Sequence, residues 1–148
     1  MLDPNQAFDL TGPLVLAGWA ALLLSLFVRQ VRPIAWPATQ FVVPAILAVL
    51  YVPLIWAGFG EAKGGGFGSI GEIRALFASD SALVAGWFHY LAFDLFVGQW
   101  VAKDADHKGF GRLAQIPFLS LVFLAGPVGL LVWLAVRERR ARAIARRG

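Results

Sequence analysis

The chain has 148 residues, enough for one domain, with a net charge of +4 and a mean hydropathy of +0.69. Hydrophobic residues make up 59% and charged residues only 15%, well below the roughly 25% of an ordinary soluble domain. There is no cysteine, which excludes disulfides, thiolate nucleophiles, zinc fingers and Cys-ligated iron–sulfur clusters. The balance is that of an integral membrane protein.

The first residues, MLDPNQAFDLTGP, carry neither the basic start of a signal peptide nor the Arg/Ser richness of a transit peptide, so the first apolar run is expected to be retained. Crossing the hydrocarbon takes about 20 mostly apolar residues. Four stretches qualify, at about 14–28, 41–59, 81–102 and 113–136. The expected fold is all-α, a four-transmembrane-helix bundle forming one integral membrane domain over 1–148. Interior prolines are tolerated in membrane helices because neighbours re-satisfy the freed carbonyl. Bends are expected near Pro53 and Pro127.

Between the second and third stretches lies GEAKGGGFGSIGEIRALF. Ser69 and Glu72 have capping-box spacing, and Ile70, Ile73, Leu76 and Phe77 share one helical face. A short amphipathic helix is expected there, with a plain linker as the alternative. GFGSIG matches G-x-G-x-x-G but does not follow a strand, so it fails as a dinucleotide motif.

The third stretch, GWFHYLAFDLFVGQW (86–100), holds His89 and Asp94. Both fall roughly 4 Å from the centre of the helix at ~1.5 Å rise per residue. A charged Asp near the bilayer centre costs on the order of 2.5–3.5 kcal/mol. Asp94 must therefore face a protein-lined cavity, pair, or be protonated, the form in which a carboxyl serves as a general acid. Five positions put His89 and Asp94 about 140° apart, so each needs a partner from another segment. By polarity the partners are Gln40, Tyr51, Gln99, Gln115 or Ser120. Asp94 shares a stripe with Trp87, Leu91 and Gly98. At Gly98 a neighbouring backbone could approach closely. Asp94 and His89 are the candidate catalytic residues, and Trp87, Tyr90 and Gly98 the candidate substrate contacts. The competing reading makes His89 and Asp94 interhelical hydrogen-bond glue.

After the third stretch, KDADHKG offers Asp104, Asp106 and His107 as metal ligands, which a solvated loop explains equally well. Two histidines are too few for the eight-histidine di-iron site of membrane desaturases. No metal or other cofactor is expected. Trp36, Trp56, Trp100 and Trp133 lie near predicted ends, as interfacial belts do, while Trp19 and Trp87 sit deeper. Deep aromatics suit a polyene or isoprenoid, although packing accounts for them too.

The chain closes on RERRARAIARRG, which holds six of its 13 Lys and Arg residues. Beside an apolar segment, this tail (137–148) points to anionic lipid rather than nucleic acid. Four spans put both termini on one side. Eight cationic residues then stand against five, and the positive-inside rule makes that side cytoplasmic.

FGSIGEIRALF (67–77), GWFHYLAFDLFVGQWVAKDA (86–105) and FLAGPVGLLVWLA (123–135) resemble the ABA4-like membrane family over about 10–136. The family's plant member is a plastid membrane protein implicated in neoxanthin formation. Without a transit peptide this chain looks like a bacterial relative, placed in the cytoplasmic membrane. The resemblance implies a carotenoid- or isoprenoid-modifying isomerase, or an accessory factor for one. Converting a 5,6-epoxy carotenoid to its allenic isomer needs an acid and a base but no redox cofactor. The resemblance brings no settled catalytic residues, but Asp94 suits the acid, and His89 the base if another helix brings it round. The alternative is a non-catalytic pigment- or lipid-binding protein that assembles with a larger complex. A small transporter is the weaker third reading, because no inverted repeat is visible.

Overall fold

The computed structural model describes residues 3–145, with side chains over 3–138. The chain is all-helical, 88% helix, with no strand among the described residues. Six α-helices follow in order: α1 Pro4–Phe27, α2 Arg32–Pro37, α3 Val43–Glu61, α4 Ile70–Leu76, α5 Asp80–His107 and α6 Arg112–Ala145. A 3-10 turn, Arg29–Val31, leads into α2, and a π-helical turn, Ala38–Val42, joins α2 to α3. Four helical runs are long and apolar enough to cross a membrane: Pro4–Phe27, Arg29–Glu61, Asp80–His107 and Arg112–Glu138. Each begins or ends beyond its apolar stretch.

The chain divides into two compact units. One comprises Met1–Ala17 and Val42–Phe93, the other Gly18–Phe41 and Asp94–Gly148. Helices α1 and α5 each contribute one half to either unit.

The first unit holds the start of α1, all of α3 and α4, and the first half of α5. Helix α3 runs on through Pro53. At Gly58 the chain needs a residue without a side chain, because a Cβ there would lie 2.6 Å from that of Ala82. Small residues let two membrane helices touch backbone to backbone. Glu61, ending α3, accepts hydrogen bonds from Ser79 Oγ (2.6 Å) and Ser81 Oγ (2.9 Å), tying it to the start of α5. The expected helix between the second and third runs forms as α4. Ser69 Oγ accepts from the Glu72 N–H at 3.2 Å, and Glu72 reaches back to accept from the Gly68 N–H at 2.9 Å. On its apolar face Leu76 is fully buried, while Ile70 remains exposed.

The second unit is organised by α6, which is two arms rather than one rod. The helix breaks at Ala125, whose φ −155° and ψ 65° are extended. Pro127 follows and cannot donate the N–H that a continuing first arm would need. The arms then fold against each other. Phe118 and Trp133 would stand roughly 22 Å apart on a straight helix at ~1.5 Å per residue. Their ring centroids are 5.2 Å apart, edge to face. A Cβ on Gly129 would sit within 2.7 Å of the Leu121 carbonyl carbon, so a glycine lets the arms approach. The sequence foretold a bend near Pro127, and the structure shows a reversal.

Both arms return to the C-terminal end of α5. From the first arm, Gln115 Nε2 donates to Asp106 Oδ1 at 3.1 Å. From the second, Trp133 Nε1 donates to Asp104 Oδ2 at 3.1 Å. Arg137 grips the same carboxylate with Nε at 2.7 Å and Nη2 at 2.9 Å. Arg32 pairs with Asp106 and donates through Nε to the Ser25 carbonyl at 2.8 Å. At the end of α1, the Phe27 carbonyl accepts from Arg112 at 3.3 Å. The turn between α5 and α6 is closed by Gly109 in the left-handed region (φ 66°), the usual way to end a helix. Of the Arg-rich tail, the Arg137 and Glu138 side chains are described, and those of 139–148 lie outside the described residues.

Replacing Gly129 with Val is expected to cost about 1–3 kcal/mol by overpacking the arms. Gly60→Ala, with nothing within 4 Å of the added methyl, is expected to be neutral or slightly stabilising. Thermal unfolding of the two variants in detergent measures the contrast.

Candidate functional site

Helix α5 carries all five residues that the sequence marks, and the structure distributes them over three places. Asp94 is 8% exposed and lies at the reversal of α6. Its carboxyl occupies the space a Gly126 side chain would take, with Cγ 2.9 Å from the position of that missing Cβ. Gly126 opens the second arm of α6, where helical N–H groups have no partner within their own helix. A carboxyl at such an end is favoured by hydrogen bonding and by the helix dipole. Asp94 thus meets α6 at its break, where the backbone leaves the helix.

Gly98, one turn further along α5, faces a side chain rather than the backbone the sequence suggested. The Trp19 indole lies over it, Cζ3 2.9 Å from where a Cβ would be. Trp19 in turn packs edge to face on Phe123 of the first arm, at 5.3 Å. Asp94 and Gly98 therefore form one continuous seat for α6, with Trp19 as its floor.

His89 sits on the exposed surface of its unit. Its ring lies beside Phe93 at 4.6 Å and Tyr51 at 6.2 Å. Of the polar partners the sequence offers, Tyr51 therefore reaches His89, and Gln115 serves Asp106 instead. Gln99 is fully buried, and its amide has no hydrogen-bond partner among the described residues.

Trp87 and Tyr90 meet in the first unit. Their rings stack at 5.4 Å with 24° between planes, and Phe8 adds a third ring at 6.4 Å from Trp87. These three, with Phe77, Leu83, Val84 and Gly86, line a groove of about 600 Å³ with almost no polar surface. Gly86 is part of its shape, since a Cβ there would lie 2.6 Å from the Phe77 ring. The groove falls within the ~300–1,000 Å³ of small-molecule sites. The sequence signalled Trp87 as a deep aromatic, but gave no sign that Phe8 and Phe77, from α1 and the end of α4, would join it.

No group of three His, Asp or Glu side chains suited to a metal ion occurs among the described residues. The acidic residues of KDADHKG have other work, Asp104 with Arg137 and Trp133, Asp106 with Arg32 and Gln115.

Four of the groove residues (Phe77, Gly86, Trp87 and Tyr90), the acid at a broken helix and the FLAGPVG reversal occupy the segments that carried the resemblance seen in the sequence. The profile of the ABA4-like family, described as ABA DEFICIENT 4-like, matches residues 6–133. The chain belongs to the ABA4-like family. The match takes in α1, the groove and both arms of α6. No curated protein and no solved structure matches the chain.

Two tests of this ABA4-like site follow. Gly126→Ala is expected to destabilise, and adding Asp94→Ala to recover part of the loss, with a coupling of about 0.5–3 kcal/mol in a double-mutant cycle. Arg137→Ala is expected to cost about 1.5–3 kcal/mol, the range of charge-assisted hydrogen bonds, because Asp104 then loses two donors. Denaturant unfolding in detergent reads both.

Proposed function

We propose that this ABA4-like protein holds a long apolar molecule of the carotenoid or isoprenoid class in the groove of Phe8, Phe77, Trp87 and Tyr90, and acts on it as an isomerase or as an accessory factor for one. The groove carries the reading. Its stacked aromatic walls suit a flat, conjugated or branched chain, and its lack of polar groups suits a hydrocarbon. Membership of the family supports the class of ligand. Lined in part by α1 and α5, two helices apolar enough to cross a membrane, such a site would load from the lipid.

If the bound molecule is turned over, Asp94 is the residue we assign as acid. It is a buried carboxyl, so it can be held in one orientation and kept from water. Protonating an epoxide oxygen opens the C–O bond. Loss of a proton from the polyene then forms the allene, with no change in oxidation state. His89, exposed and about 140° round α5 from Asp94, serves as base only toward a substrate lying along its own face. The second reading is binding without turnover, within a larger complex.

The test is to purify the protein from its native membrane and examine the extract by absorbance and mass spectrometry. We expect a stoichiometric carotenoid or isoprenoid that is lost in Trp87→Ala. We expect Asp94→Asn to keep the ligand but stop its conversion. Extracts free of such a molecule would sink the binding reading. Unchanged conversion by Asp94→Asn would leave binding and remove Asp94 as the acid.

A further inference from the structure

We infer that α6 enters and leaves the membrane on the same face, and that this face is built to rest on anionic lipid headgroups. The first part follows from contacts within one unit. Gln115, near the start of α6, and Arg137, near its end, both bind the last turns of α5, at Asp106 and Asp104. The reversal at Ala125 lies instead beside Asp94, ten residues earlier on α5 and so roughly 15 Å along its axis. An arm of about 13 residues covers roughly 20 Å, well short of the ~30 Å hydrocarbon. Helix α6 thus dips to about mid-depth and returns. Non-helical backbone at that depth is tolerated only where protein covers it, and the Asp94 carboxyl and the Trp19 indole provide that cover.

The start of α6 also touches the end of α1, through Arg112 and the Phe27 carbonyl. Helix α1 is continuous over 24 residues, about 36 Å, enough for one crossing.

Charge gives an independent check. Four complete crossings divide the cationic residues eight against five. With α6 returning, Arg29, Arg32, Lys103, Lys108 and Arg112 share one face with Arg137. Six cations on one face assign it to the cytoplasm. On it, Asp104 and Asp106 are already paired with Arg137 and Arg32. Arg29, Lys103 and Lys108 remain for phosphate groups. Beside Lys103, a hollow of about 340 Å³ bordered by Arg32, Trp36 and Gln40 is of a size for one headgroup. Juxtamembrane basic clusters bind anionic leaflets in this way.

The absence of native cysteine allows single-cysteine labelling of the full chain. Gln30→Cys and Gly148→Cys would be treated with a membrane-impermeant maleimide in intact cells and after permeabilisation. We expect both to label only once the membrane is opened. Labelling of the two from opposite sides would overturn the returning helix. Labelling of both in intact cells would keep the returning helix and overturn the cytoplasmic lipid face. The lipid contact has its own measurement, thermal stability in nanodiscs of phosphatidylcholine with or without phosphatidylglycerol. Stabilisation by phosphatidylglycerol that shrinks in Lys103→Gln and Arg29→Gln supports the contact. No difference between the two lipids rejects it.

Discussion

The second unit depends on one constraint, that a helix reversing inside lipid must have its exposed backbone covered. Asp94 meets that need. Its carboxyl takes the volume a side chain on Gly126 would fill and stands at the start of the second arm of α6. Gly98 and Trp19 continue the seat, and Gly129 lets the arms close on each other. Leaving a backbone donor or acceptor unsatisfied in hydrocarbon costs several kcal/mol, more than any single packing contact returns. The carboxylates at the end of α5 fasten the arms, Asp106 holding the first and Asp104 the second. One helix thus presents three acids at intervals matching the tip and the two bases of the hairpin.

The division of labour along α5 is equally clear in its apolar part. Its first half, with Trp87 and Tyr90, gives the first unit a ligand-sized groove walled by rings. Its second half is a scaffold for α6. A carboxyl with a structural duty can also be a proton donor. The two roles make different demands. Holding the hairpin requires that Asp94 stay in place, whereas chemistry requires that a substrate atom reach it. Separating stability from turnover in Asp94→Asn therefore bears on mechanism more directly than loss of function alone.

Much of the fold was legible in composition and spacing. Four long apolar helices and the Ser69–Glu72 cap of α4 follow from run length and local hydrogen-bond chemistry. Asp94 stood out because an acid at depth is expensive. The reversal of α6 was harder to see. Gly126-Pro127 is a turn signal in a soluble chain, but in an apolar run it also suits a bent membrane helix, and run length favoured a span. What decides between them is the tertiary pairing of Gln115, Trp133 and Arg137 with α5, which local sequence does not encode. The groove was partly hidden for the same reason. Phe8 and Phe77 lie far from Trp87 in sequence, and only the packing of α1 and α4 on α5 brings them there. His89 was recognised as polar at depth, but five positions on a helix do not say which face meets lipid.

The seat at Asp94 also sets an order of assembly. An arm that turns back at mid-depth cannot be laid into bare lipid, because its turn would expose peptide groups to hydrocarbon. Helix α5 must be in place first, with Asp94 and Trp19 ready to receive Gly126 and Phe123. The order of the chain provides this, since α1 and α5 leave the ribosome before α6. The last helix is therefore a late arrival that docks onto a prepared surface, and its biogenesis is a folding reaction within the membrane rather than a separate act of insertion.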